Sequence, residues 1–184
     1  AVYKELNPKV TDFYTQVFLN SKLYNVIKKA AGKVDETTLT AEQTRFIEQT
    51  LLSFKLNGAD LIDEQKESFA KIEVELAELT EKFKSNVLDS TNAFELYVDD
   101  VKELEGLPQS SLNQAAESAE RKGHKGSYLF TLHFPSMRPV MMYAKSENLR
   151  KKIYEGSCSI GHSGEFENND ILLRIVKLRD QEAK

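Results

Sequence analysis

The stretch from Asp63 to Ser90, DEQKESFAKIEVELAELTEKFKSNVLDS, contains neither Gly nor Pro and holds one helical period throughout. Phe69, Ile72, Leu76, Leu79, Phe83 and Val87 recur at spacings of three and four, which gathers them into one stripe that must face a core. Ala70, Val74 and Ala77 lie beside that stripe and are small enough to let a second helix approach. Lys71, Glu75, Glu78 and Lys82 occupy the remaining, wet face, with Glu67–Lys71 and Glu78–Lys82 in the favourable i, i+4 order. A helix of this length spans about 40 Å, so the other elements have to line up along it.

Before it, Val10, Phe13, Tyr14, Val17, Phe18, Leu23, Tyr24 and Ile27 fall at helical spacings, with a break or kink at Asn20 and Ser21 and a stop at Gly32. Thr40 followed by Gln43 is a capping box, opening a helix whose apolar face is Phe46, Ile47, Thr50, Leu51 and Phe54 and which ends at Asn57 and Gly58. Asp60 or Asp63 is expected to cap the long helix, and the short connection makes it an antiparallel neighbour of the helix before it. From Ala93 the period becomes two: Phe94, Leu96 and Val98 predict a strand, and Tyr128 to Phe134 a second one that pairs with it. Between them, Ser111 to Lys122 reads as a surface helix with a thin stripe of Leu112, Ala115, Ala116 and Ala119. Ser136 is expected to cap a short helix containing Pro139, and Ser146 a further one with Leu149 and Ile153 inward and Arg150, Lys151 and Lys152 outward. A polar loop, Gly161 to Asn169, precedes a last helix with Ile171, Leu172, Ile175, Val176 and Leu178. The fold class is therefore mainly α: an antiparallel helical lobe around one long helix, with a small two-stranded β element.

Function is constrained mostly by exclusion. The 25 basic and 29 acidic residues are interspersed, which argues against nucleic acid as a partner. The longest apolar run, Val140 to Ala144, is far short of the ~20 residues of a membrane span, so no membrane partner is expected. A lone Cys158 and the lack of an Asn-x-Ser/Thr acceptor point to the cytoplasm. Both ends read as cut, as in a fragment. His124, His133 and His162 stand on separate elements and no His-Glu-x-x-His occurs, so a zinc site within this stretch is not expected. His133 is read as a surface or interface residue unless a cleft accompanies it, Cys158 as a buried helical cysteine, and Lys122, His124 and Lys125 as a basic surface turn before a strand, with weak anion binding as the lesser alternative. Glu73, Glu75 and Glu78 point in different directions around their helix and make no paired-carboxylate site. No phosphate loop, dinucleotide fingerprint or nucleophile elbow is present.

Three blocks carry a resemblance: LLSFKLNGADLIDEQKESFAKIEVELAELTEKFKSNVLDSTNAFELYV (Leu51 to Val98), GLPQSSLNQAAESAERKG (Gly106 to Gly123) and YLFTLHFPSMRPVMMYAKSENLRKKIYEG (Tyr128 to Gly156), the last with the specific pattern FPSxxPVMxYA over Phe134 to Ala144. In that order they resemble the helical region upstream of the active site in the thimet oligopeptidase and oligopeptidase A family of zinc metallopeptidases, most of all its bacterial oligopeptidase A branch. The resemblance implies a two-lobed, mostly helical parent with a deep channel for short unstructured peptides, of which residues 1–184 form part of the N-terminal helical lobe. The zinc would be held by a His-Glu-x-x-His helix and a later Glu, all downstream of the region matched. The catalytic zinc domain is thus expected to be absent from this chain, which would hold no cofactor, with zinc in the parent enzyme. No catalytic, cofactor-binding or metal residue can be carried onto a position here. The expected partners are short peptide substrates in the parent and the missing catalytic lobe. The fragment alone is expected to be inactive, forming a channel wall that restricts substrate size. Tyr128, His133 and Tyr143 are channel-contact candidates without a geometry and form no assigned site. The alternative is a stand-alone helical module that binds a peptide or protein without catalysis.

Overall fold

The computed structural model describes residues 2–184, with only the backbone for Tyr3, Lys4, Glu5 and Glu36; a helical entry at Ala1 itself lies outside the described residues. They form eight α-helices and a two-stranded antiparallel sheet, so the chain is mainly α. It divides into two compact units, Ala1–Glu81 with Arg174–Lys184, and Lys82–Leu173.

In the first unit, α1 (Val2–Leu19) and α2 (Ser21–Ala31) are separated at Asn20, whose side-chain oxygen accepts from Leu23 N at 3.0 Å and so caps the second helix. Helix α3 (Ala41–Leu56) opens on the expected capping box: Thr40 Oγ1 accepts from Gln43 N at 3.3 Å, and Gln43 Oε1 accepts from Thr40 N at 3.0 Å. Tyr24, Phe54 and Ala59 are buried with Phe18, Ile27 and Leu51 around them, the Phe54 ring lying 5.1 Å from Phe18 and 5.8 Å from Tyr24. Thus α3 packs against α1 and α2, rather than chiefly against the helix that follows it. Phe46, expected on the inner face of α3, is exposed.

The long helix, α4, runs Asp63–Ala93 and contributes to both units. Phe69 and Leu76 are buried, and Ile72, Leu79, Phe83 and Val87 half-buried, as the stripe requires. Glu67 and Lys71 pair at 2.7 Å, while Glu78 and Lys82 are exposed. Neither Asp60 nor Asp63 caps the helix. Ile62 stands at the cap position, and Gln65 reaches back to accept from its N–H at 3.3 Å, leaving the first-turn acids Asp63 and Glu64 to complement the helix dipole.

In the second unit, β1 (Leu96–Val98) and β2 (Tyr128–Phe130) pair antiparallel with Tyr97 opposite Leu129. Both strands are shorter than the alternation predicts. Helix α4 continues to Ala93, and beyond Phe130 the Thr131 N–H donates to Ser136 Oγ at 3.0 Å instead of continuing the ladder. Phe134 then begins α6 (Phe134–Tyr143), with Pro135 in the first turn where its missing N–H costs nothing. Ser136 is consequently not the cap of that helix.

Helix α5 (Gln109–Arg121) lies against β2 instead of standing free on the surface: Ala115 and Ala119 are buried, their small side chains permitting the close approach. Helix α7 (Glu147–Cys158) is capped by Ser146, whose Oγ accepts from Leu149 N at 3.1 Å, and drives Leu149 and Ile153 into the core at 0% exposure. Arg150 does not point outward: its guanidinium folds back onto the Ala144 and Lys145 carbonyls at the end of α6. Val98, Leu104, Leu107, Phe130, Leu132 and Val140 complete this core. Gly106 is required by its turn, with φ +92° and a space where a Cβ would come within 2.3 Å of the Tyr143 carbonyl.

Helix α8 (Asn169–Glu182) buries Ile171 and Leu178 but leaves Leu172 and Val176 exposed. Before it, buried Asn168 donates to the Phe83 carbonyl at 3.1 Å and accepts from Asn86 Nδ2 at 3.0 Å, tying the polar loop to the end of α4.

Candidate functional site

The side chains best placed to meet a ligand lie in a cleft of about 360 Å3 in the second unit, between α5, β2 and the start of α6. Helix α5 supplies one wall. Ser111, Gln114, Ser118 and Arg121 recur on it three and four apart, beside the alanines that hold it to the sheet, and Lys122 follows at its C-terminal cap. Leu129 and Phe130 of β2 and Ala115 of α5, all three buried, complete the lining on the apolar side. The opposite rim is Thr131, His133, Pro135 and Ser136, where the chain turns from strand to helix.

Electrostatically the cleft is one-sided. Arg121, Lys122 and His133 line it, and no Asp or Glu does. The carboxylates that balance the two permanent cations stand outside the lining: Glu117 lies 3.7 Å from Arg121, and Glu95 accepts from Lys122. The hydrogen bond from Lys122, with a second from Tyr97, holds the Glu95 carboxyl below the usual carboxylate range. Such a lining can bind and orient an anion. Among the described residues no hydrogen bond joins His133 to one of the cleft hydroxyls, and Ser136 Oγ is engaged by Thr131 N, so a nucleophile paired with its base is not formed there.

The three histidines stay on separate elements. The His124 ring lies tilted against Tyr97 with centroids 4.2 Å apart, His133 is on the cleft rim, and His162 contacts Asn169 Oδ1 at 3.3 Å. Among the described residues, no three His, Cys, Asp or Glu side chains gather as a metal ion would need. The residues of this chain therefore do not fit the zinc of the family resemblance. Cys158 is exposed, a correction to its expected burial: α7 turns Leu149, Ile153 and Gly156 inward, which places Cys158 on the other side, beside Tyr154. The Tyr154 phenol is raised above its ordinary value by its hydrogen bond with Cys158.

Thus the condition attached to His133, an accompanying cleft, is met. Arg121, Gln114, Ser111 and Ser118 were not singled out from the sequence, where polar positions lining a cleft look the same as polar positions facing water.

No family model matches the chain. Individual relatives do. It is 37% identical to "Probable cytosolic oligopeptidase A" of Arabidopsis thaliana over 100% of this chain and 27% of that protein. It is 33% identical to oligopeptidase A of Haemophilus influenzae over 99% of this chain and 27% of that protein. The chain is homologous to the oligopeptidase A family along its whole length. A thimet-like oligopeptidase of Dictyostelium discoideum is 29% identical over 81% of this chain and 21% of its own length. The plant and the bacterial oligopeptidase A match the chain at similar identity, 37% and 33%. The chain spans about a quarter of the length of the curated oligopeptidase A relatives it matches.

Proposed function

We propose that residues 1–184 are part of the N-terminal helical lobe of a zinc-dependent oligopeptidase that hydrolyses short peptides, and that this segment forms a channel wall restricting substrate size. The observation that carries the reading is the homology itself: identity of 33–37% runs from one end of the chain to the other yet covers about a quarter of each oligopeptidase A. The catalytic zinc domain would then lie elsewhere in the parent. Zinc would serve the parent as the Lewis acid of peptide hydrolysis; no part of that chemistry is assigned to side chains here.

Exposed apolar side chains support the assignment to a larger assembly. In the first unit Val26, Val34 and Phe46 line an apolar groove with Ile27 and Ile47, Phe46 being 72% exposed. Large exposed apolar surface marks a place where another surface docks, and the missing catalytic lobe is the proposed partner. The same groove is the one observation favouring a stand-alone helical binding module. We place the parent in the cytoplasm on the strength of the lone cysteine; no helix among the described residues is long and apolar enough to cross a membrane.

The purified chain, incubated with zinc and a fluorogenic short peptide, is expected to give no hydrolysis above buffer. Chelator-sensitive cleavage by this chain alone would overturn the assignment of catalysis to another domain.

A further inference from the structure

We propose that the cleft between α5, β2 and the start of α6 binds the free C-terminal carboxylate of a short peptide. Three observations converge. The lining carries two permanent cations, Arg121 and Lys122, with the imidazole of His133 opposite them and no carboxylate among the lining residues. Glu117 and Glu95 pair with the two cations from outside the cleft, and a planar guanidinium matches a carboxylate in two parallel hydrogen bonds. Part of the lining is apolar, contributed by Leu129, Phe130 and Ala115, which are all buried. This favours an anion attached to an apolar group over a bare inorganic one, because a small hydrated ion gains nothing from that surface. Finally, Ser111, Gln114 and Ser118 lie along the same helix face, where they can bond the amide groups preceding the carboxylate. The volume, about 360 Å3, falls within the roughly 300–1,000 Å3 typical of small-ligand clefts.

The ion pairs outside the cleft are part of the arrangement. Glu117 and Glu95 hold Arg121 and Lys122 in place at the rim; both pairs are exposed, and exposed pairs are weak enough to yield to an incoming carboxylate. The proposal rests on the peptidase reading only in choosing a peptide among organic carboxylates.

The test uses the intact chain and three probes, followed by NMR titration: N-acetyl-Ala-Ala-Phe with a free carboxylate, its C-terminal amide, and inorganic phosphate. The free acid is expected to shift resonances of Arg121, Ser118 and His133, with the amide and phosphate at least about tenfold weaker, the cost of a charge-assisted pair. Arg121→Gln should weaken the free acid about tenfold, whereas Arg138→Gln, outside the cleft lining, should not. Both positions are exposed, so the fold should persist, and a thermal melt confirms that it does. Equal binding of acid and amide, equal binding of phosphate, or no shift at the cleft would each overturn the proposal. None of these results depends on hydrolysis, so failure here is distinguishable from failure of the peptidase reading, which the zinc assay addresses.

Discussion

Gly156 lies in the last turn of α7, where alanine would ordinarily improve helix propensity by up to about 1 kcal/mol. Here a Cβ would come within 2.4 Å of the Phe94 ring, and a core forced to take an extra methyl loses about 1–3 kcal/mol. Overpacking is the larger effect. Gly156→Ala should therefore lower stability in urea denaturation, and adding Phe94→Leu should recover part of the loss. A stabilised Gly156→Ala would mean that the contact is not as described. Glu73 offers a second residue-scale test. Burial, reinforced by the neighbouring Glu182, raises its carboxyl pKa above 4.5, and Arg179 at 3.8 Å only partly offsets this. The folded state then favours the protonated acid. The stability that Glu73 contributes is fully present below pH 4.5 and is lost as pH rises through the raised folded value. Glu75, held below its ordinary value by the two-pronged Arg174 contact at 2.6 and 2.7 Å, behaves oppositely and loses its contribution as pH falls. Glu73→Gln should accordingly gain over the parent sequence at pH 7 and lose that advantage at pH 4, measured as the shift in urea midpoint.

At the scale of elements, the capping box of α3 is expected to carry measurable stability: Thr40→Ala should cost about 1 kcal/mol, read as a lowered urea midpoint, while Thr40→Ser should cost much less. The box was legible because capping is local chemistry, a hydroxyl and an amide three residues apart. The same holds for Ser146, and for the stripe that defines α4. What stayed hidden depends on partners distant in sequence. The burial of α5 follows from how closely Ala115 and Ala119 approach β2, and an alanine stripe looks thin until the strand beneath it is known. The alternation of Tyr128, Phe130, Leu132 and Phe134 continues past the end of β2, because it cannot reveal that Ser136 takes the Thr131 N–H. Phe46 occupies an inward position in the periodicity of α3 yet is exposed; period alone does not tell whether a face has been given a partner. For the cleft, the sequence signalled His133 but not Lys122, Arg121 or the α5 hydroxyls, since nothing local distinguishes their positions from solvated ones.

For the whole molecule, the proposed function makes this chain part of an oligopeptidase and assigns hydrolysis to another domain. Homology reaches the full chain, whereas metal ligands do not gather among its described residues. The most direct test is to substitute this chain for the matching segment of the Haemophilus influenzae oligopeptidase A and compare cleavage of a short peptide with cleavage of the same sequence embedded in a folded protein. A soluble chimera is expected to cleave the free peptide with zinc dependence and leave the folded protein intact. A soluble chimera that cleaves both alike would contradict the assignment of this segment as the wall that limits substrate size.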